Sequence, residues 1–145
     1  MTSTGIPARR DRWLRAVGYG LLAEVLTVLT IIAIVMSYRF LFARGLSDAD
    51  YAAFGMHTGK TVGTVGGMLF TFFCARQLML RLRRRFVEHG LVVAVAAIAF
   101  SVGGSLAGHH GLPDGYLLAS VLKLAAGALA GFVYWRSTSR NRNVV

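Results

Sequence analysis

Three ionisable side chains stand inside long apolar stretches of this 145-residue sequence. Glu24 lies in LLAEVLTVLTIIAIVMSY, Arg76 lies near the end of TVGTVGGMLFTFFCARQLML, and Lys123 interrupts YLLASVLKLAAGALAGFVYW. A charge inside hydrocarbon costs about 2.5–3.5 kcal/mol on insertion scales, so such residues mark functional sites or internal ion pairs. Desolvation disfavours the anion of a carboxylic acid, which is the chemistry that a proton-coupled carrier needs. Glu24 is therefore a candidate proton site.

Two cations are candidate partners for this acid. Estimated depths of Glu24 and Lys123 in their apolar stretches differ by roughly 8 Å at 1.5 Å per residue, a gap that long side chains can partly close. Arg76 lies about 5 Å from Glu24 in depth on the same estimate. Instead of pairing with Glu24, Arg76 can extend its guanidinium group to the membrane surface. The sequence leaves both pairings open.

The residues around the acid also resemble part of a known family. Leu22, Ala23, Glu24 and Val25 are similar to the first helix of the small multidrug-resistance exporters, which are four-span proteins with an essential acid at that place. The resemblance implies a carrier with Glu24 at its site. It covers only this fragment, because the outer connection here is longer and the third span lacks that family's aromatic-and-glycine pattern. We do not assign the chain to that family.

The apolar stretches are long enough to cross a membrane. The sequence is 55% hydrophobic and only 15% charged, whereas soluble domains carry about 25% charged residues. A crossing needs about 20 mostly apolar residues, and four stretches qualify, at about 16–41, 61–80, 88–108 and 116–135. We therefore predict an all-α polytopic protein with four transmembrane helices in an antiparallel bundle. Its transmembrane domain is 16–136, between a basic segment 1–15 and a basic tail 137–145.

Basic residues predict the orientation, since short cytoplasmic flanks of membrane helices are rich in Lys and Arg. The chain has 16 basic and 6 acidic residues. One side receives Arg9, Arg10, Arg12, Arg15, Arg81, Arg83, Arg84, Arg85, Arg136, Arg140 and Arg142, and the other receives Arg39, Arg44 and Lys60. Both termini are thus predicted to be cytoplasmic, facing anionic headgroups. The Arg, Ala and Gly bias favours a bacterial inner membrane, and the short cationic blocks do not favour nucleic acid.

A glycine-rich stretch, GMHTGKTVGTVGG at 55–67, resembles a phosphate-binding loop. That loop separates its glycines by five positions after a strand, whereas Gly55 precedes Gly59 by four and no strand-like run comes before it. We predict helix packing instead, because small residues let helix backbones approach closely in lipid. The predicted packing residues, at four-residue spacing, are Gly59, Gly63, Gly67, Gly104, Gly108, Gly127 and Gly131.

The connections contain turn, cap and histidine signals. Ser47 with Asp50 three positions later resembles a capping box, which predicts a short surface helix at about 48–56. His57, His109 and His110 all fall on the outer side. Three imidazoles can form an open zinc site, but no spacing holds these three together, so we expect polar loop residues, no metal and no cofactor.

Catalytic motifs are not found in the sequence, so an enzyme is not expected. The first functional hypothesis is a non-enzymatic, self-associating protein of membrane interaction or assembly, whose partner is a second copy or another membrane protein. The alternative is a small proton-coupled carrier or channel that uses Glu24 with Lys123 or Arg76. Near the inner surface, His89 beside Glu88 is expected to form an interfacial pair.

Overall fold

The computed structural model describes residues 9–42, 44–82, 85–108 and 115–142, with side chains from 12 to 139. Its α-helices are α1, Arg9–Ser37; α2, Asp48–Met79; α3, Phe86–Ala107; and α4, Tyr116–Arg142. A five-residue π-helical turn, Tyr38–Phe42, extends α1. All four helices are long and apolar enough to cross a membrane. In the described residues the prediction of an all-helical fold is confirmed, and so is the prediction of four helices that are long and apolar enough to span a membrane.

The second helix begins where the cap signal lies but does not stop where we predicted. The Ser47 hydroxyl accepts a hydrogen bond from the backbone N–H of Asp50, and the Asp50 carboxylate accepts one from the N–H of Ser47, which confirms the capping box. From there α2 continues without a break to Met79. The separate surface helix at 48–56 was therefore wrong, because no residue after Met56 interrupts the helical hydrogen bonds.

Aromatic contacts join the first turns of α2 to the end of α1. The rings of Tyr38 and Phe54 are stacked with centroids 3.8 Å apart. The guanidinium of Arg39 lies 5.0 Å from the ring centroid of Tyr51. A cation over an aromatic face is attracted by the ring quadrupole. These contacts fix the π-helical turn against α2.

Each helix packs against two main neighbours. The α1 helix packs against α2 and α3, and α4 packs against the same two helices, so α1 and α4 lie across the bundle from each other. The core beside the Arg85 end of α3 consists largely of small or unbranched residues, including Ala23, Ala75, Met79 and Ala130. Large apolar side chains such as Leu29, Phe73 and Leu118 are instead exposed on the outside of the helices. This inversion is expected where lipid rather than water is the solvent.

Glycine contacts set the spacing of α3 and α4. The backbone carbonyl of Gly127 fills the position where a Cβ of Gly90 would be, and the carbonyl of Gly90 does the same at Gly127. One turn further along α4, a Cβ at Gly131 would lie 2.6 Å from the Cα of Val87. Side chains larger than hydrogen would force these two helices apart.

The predicted pair of His89 with Glu88 was wrong. Glu88 instead accepts a hydrogen bond from the guanidinium of Arg85 at 3.2 Å. His89 is buried and stacks on Trp13 of α1, with ring centroids 4.6 Å apart. Because adjacent residues of a helix point in different directions, His89 turns toward α1 while Glu88 stays at the surface.

Candidate functional site

A buried ion pair joins α1 to α4 across the bundle. The Nζ atom of Lys123 lies 2.7 Å from Oε2 of Glu24 and donates a hydrogen bond to it. The side chains of Lys123 and Glu24 are only 5% and 10% exposed. Of the two predicted partners of Glu24, the structure brings Lys123 to it, whereas Arg76 is exposed on α2. The arrangement compensates each charge at a place where neither side chain is much exposed.

Glu24 is held on the inner face of α1 by its neighbours. Thr27 is 2% exposed, and its hydroxyl donates a hydrogen bond to the carbonyl of Ala23 at 2.9 Å. A Cβ at Gly20, one turn before the acid, would lie within 2.7 Å of the Cβ of Ala96 in α3. Gly20 and Thr27 therefore place this face of α1 against the bundle interior, which directs the carboxylate toward α4.

Gly67 of α2 makes room for the lysine. A Cβ at this position would lie 2.7 Å from Cε of Lys123. One turn later, the buried hydroxyl of Thr71 donates a hydrogen bond to the carbonyl of Gly67 at 2.7 Å. Gly67 was predicted to pack against a helix, and in the structure it lies against the aliphatic stem of Lys123. The absence of a side chain lets this stem pass to Glu24.

A cavity of about 550 Å³ opens beside the ion pair. We call it the ion-pair cavity; it is lined by Glu24, Thr27, Val28, Ile31, Met56, Gly59, Lys60, Gly63, Thr64, Ser101, Gly115, Tyr116, Ala119 and Lys123. Its volume lies in the range of about 300–1,000 Å³ that small-molecule sites occupy. The lining residues furthest from the pair, Met56, Lys60 and Gly115, are exposed, so the cavity communicates with that end of the bundle.

The cavity ends at the ion pair. On the far side of the pair, Thr71 and Ala75 of α2 are fully buried, and Ala126 and Ala130 of α4 are 6% and 1% exposed. The close glycine contact between α3 and α4 also lies on that side. Among the described residues, the space between the helices at the ion pair is therefore open toward Lys60 and closed by buried side chains on the other side of the pair.

Two predicted packing glycines form a wall of the cavity. A Cβ at Gly59 or Gly63 would meet no atom of the described residues within 4 Å, and both residues line the cavity. Lys60 lies between them along the chain, in the middle of α2 and not in a phosphate-binding loop. Its Cε lies 3.8 Å from the position of a Cβ at Gly115. Without side chains at 59 and 63, this face of α2 leaves the interior open.

The other predicted site residues are placed apart from the ion pair. Gly127 and Gly131 contact α3, whereas a Cβ at Gly104 would meet nothing within 4 Å among the described residues, and Gly108 is the exposed residue after α3. His57 is exposed on α2, and the positions of His109 and His110 lie outside the described residues. In the described ranges no group of three His, Cys, Asp or Glu side chains is placed to hold a metal.

Sequence reasoning missed the polar lining of the cavity. The Tyr116 hydroxyl donates a hydrogen bond to the carbonyl of Ile98 at 3.0 Å, which joins α4 to α3 at the cavity wall. The Thr64 hydroxyl donates to the carbonyl of Lys60 at 2.8 Å. Ser101 lies on the α3 side. The sequence does show hydroxyl side chains within the apolar stretches. These did not indicate a cavity, because Ser and Thr in membrane helices often donate hydrogen bonds to backbone carbonyls of their own helix.

Comparison with family models, curated proteins and solved structures finds no match to this chain. The function is therefore inferred from the chemistry of the ion-pair cavity. That chemistry is a buried carboxylate and a buried ammonium next to a space large enough for a small molecule. Either charge can exchange its present partner for a group on a bound solute, provided that the other charge is compensated at the same time.

Proposed function

We propose that the protein is a small, non-enzymatic, multi-pass carrier that binds a polar solute in the ion-pair cavity and couples its movement to protonation of Glu24. The observation that carries this proposal is that the buried Glu24–Lys123 pair forms the end of the cavity. A purely structural ion pair needs no adjacent space, and a helix bundle without a ligand gains stability from filling that space. The open cavity therefore favours binding over a role in assembly alone.

The proposed setting is a bacterial inner membrane. The Lys and Arg distribution supports an antiparallel bundle with both termini in the cytoplasm and anionic headgroups near the arginine blocks. In that orientation the ion-pair cavity opens to the outside. Reporter fusions at residue 145 and at the connection 43–47 test it: a cytoplasmic signal is expected only from the first, and the reverse pattern would overturn the orientation.

A flux assay in liposomes tests the proposed carrier. The purified full-length chain is reconstituted, and lumenal pH is followed while gradients of anionic, cationic and zwitterionic solutes are imposed one at a time. At least one class is expected to move protons with the wild type. Movement is expected to be lost in Glu24→Gln, whereas Arg76→Gln, which changes an exposed cation outside the cavity, retains it. Equal proton movement in wild type and Glu24→Gln for every solute would refute the proposal.

Self-association is the second candidate function. The supporting observation is that Gly104 is exposed on α3 with no neighbour in the described part of the chain, whereas Gly127 is already used against α3. A second copy or another membrane protein could approach at Gly104, since small residues allow close helix contact in lipid. The mass of the protein in detergent and in nanodiscs is the measurement. A monomer in both, unchanged by Gly104→Leu, would remove this candidate.

A further inference from the structure

The formal charges around the ion-pair cavity do not sum to zero. Among the described residues that line it, Glu24 is the acid, and Lys60 and Lys123 are the bases. The α3 helix contributes Ser101 and no charge. The hydroxyl group of Tyr116 in α4 donates a hydrogen bond to a backbone carbonyl. A solute that enters from the Lys60 end therefore meets an excess of one positive charge, which favours an anion over a cation.

The shape of the lining adds a preference for an organic anion. Lys123 lies at the end of the cavity, while Val28, Ile31 and Met56 supply apolar surface along its length. A carboxylate at the lysine would place a short hydrocarbon part against these side chains. A bare halide has no hydrocarbon part and would leave this apolar surface without contacts.

Charge balance then requires a proton. Separation of Lys123 from Glu24 to bind an anion would leave the carboxylate buried and uncompensated, which is strongly unfavourable. If Glu24 takes up one proton in the same step, the site keeps its net charge. The Lys123–Glu24 hydrogen bond breaks, the ammonium donates instead to the anion, and a proton from the aqueous phase at the cavity mouth binds the Glu24 carboxylate.

We infer that the ion-pair cavity takes a small monocarboxylate together with one proton, so that Glu24 and Lys123 carry out electroneutral anion–proton symport. This inference rests on the proposed carrier function and names its substrate class. Lys60 has a different role from the pair. It is exposed at the cavity mouth and attracts the anion without being part of the exchange.

The test uses the full-length chain in liposomes with a pH-sensitive dye inside and pyruvate as the probe carboxylate. Chloride represents inorganic anions, glycine zwitterions and choline cations. The membrane potential is clamped with potassium and valinomycin. An inward pyruvate gradient is expected to acidify the lumen at a rate that does not change with the clamped potential. Labelled pyruvate and protons are expected to enter in a ratio of one to one.

Variants separate the two kinds of charge. Glu24→Gln with Lys123→Met removes the pair without leaving one charge buried, and is expected to fold and to reduce coupled uptake at least tenfold. Lys60→Gln is expected to raise the half-saturating pyruvate concentration by up to about fivefold, as one exposed charge allows, with the maximal rate unchanged. Arg76→Gln is the matched control and is expected to behave as wild type.

The possible failures are distinguishable. Pair-dependent proton movement driven by choline or glycine but not by pyruvate would overturn the carboxylate inference and keep the proposed carrier. Movement driven by chloride alone would restrict the class to inorganic anions and overturn the inference as stated. Pyruvate uptake whose rate follows the clamped potential would overturn electroneutral coupling. No pair-dependent movement with any of the four solutes would overturn both the inference and the proposed function.

Discussion

The contribution of the Glu24–Lys123 pair to stability can be predicted from its burial. Removing one partner of a buried ion pair costs about 3–5 kcal/mol, because the remaining charge has lost its compensation. Here the side chains are 10% and 5% exposed, and the cavity next to them brings the surviving charge within reach of solvent. We therefore expect Glu24→Gln and Lys123→Met each to lower the free energy of unfolding by about 3 kcal/mol, the lower end of that range.

The double variant distinguishes compensation from simple packing. Glu24→Gln combined with Lys123→Met leaves no buried charge, and replacement of a whole buried pair by neutral groups is often neutral or stabilising. The free energy of unfolding of the double variant is expected to be lower than that of the wild type by less than about 1 kcal/mol, so the double variant is expected to be more stable than either single variant. Near-additivity is expected only for residues that do not interact.

Equilibrium unfolding in mixed detergent micelles measures these differences. Increasing mole fractions of a denaturing detergent unfold the helices, and circular dichroism follows the transition. Arg76→Gln serves as the control, because Arg76 is exposed and its substitution is expected to change the free energy of unfolding by no more than about 0.5 kcal/mol. A double variant destabilised by the sum of the two single losses would show that the two charges do not compensate each other, and the reasoning about the site would fail with it.

Three further predictions concern the helices around the pair. Gly127→Ala is expected to lower the free energy of unfolding by about 1–3 kcal/mol, because its Cβ would overlap a backbone carbonyl of α3. Gly63→Ala, whose Cβ meets open space, is expected to leave the free energy of unfolding unchanged or to raise it by up to about 1 kcal/mol. Equal losses for the two variants in the same unfolding assay would contradict the packing of α4 against α3. The Cβ of Gly67→Ala would lie 2.7 Å from the stem of Lys123, so this variant is expected to displace the stem and to reduce proton-coupled solute flux in liposomes more than Gly63→Ala does. Unchanged flux would argue against a role for this contact. Ser47→Ala removes the cap of α2 and is expected to destabilise its first turn by about 1 kcal/mol. Amide hydrogen exchange is expected to become faster in that turn only. Unchanged exchange would contradict the cap assignment.

The sequence predicts the helices well but not their ends. Long apolar stretches identify four candidate spans, because lipid requires helical backbone hydrogen bonding throughout a crossing. The polar ends are under no such constraint. In the structure α1 begins at Arg9 and α2 at Asp48, several residues before the apolar stretches. The depth estimate that separated Glu24 from Lys123 by roughly 8 Å used the apolar boundaries, so uncertainty about the ends became uncertainty about the pairing.

Glycine spacing is informative about a helix face but not about what that face meets. Gly127 lies against another backbone, Gly67 lies against a lysine stem, and Gly63 faces a cavity. A Cβ would collide with its neighbour at Gly127 and at Gly67 but would meet open space at Gly63, and the glycine spacing in the sequence does not distinguish these cases. Which neighbour occupies the space depends on how α1 to α4 are arranged, and this was not predictable from the spacing.

The position of the ion pair between the open cavity and the buried side chains beyond it bears on how a carrier of this size could work. A solute bound at Lys123 can leave on the far side only if helices that pack together there separate. At that place α3 and α4 meet through Gly90 and Gly127, whose backbones touch without interlocking side chains. The two backbones can part there without repacking side chains, but the contact between the rings of Phe86 and Tyr134, with centroids 4.9 Å apart, would also have to break. Release on the far side would therefore require the loss of both the glycine contact and this ring contact when the pair exchanges its partner.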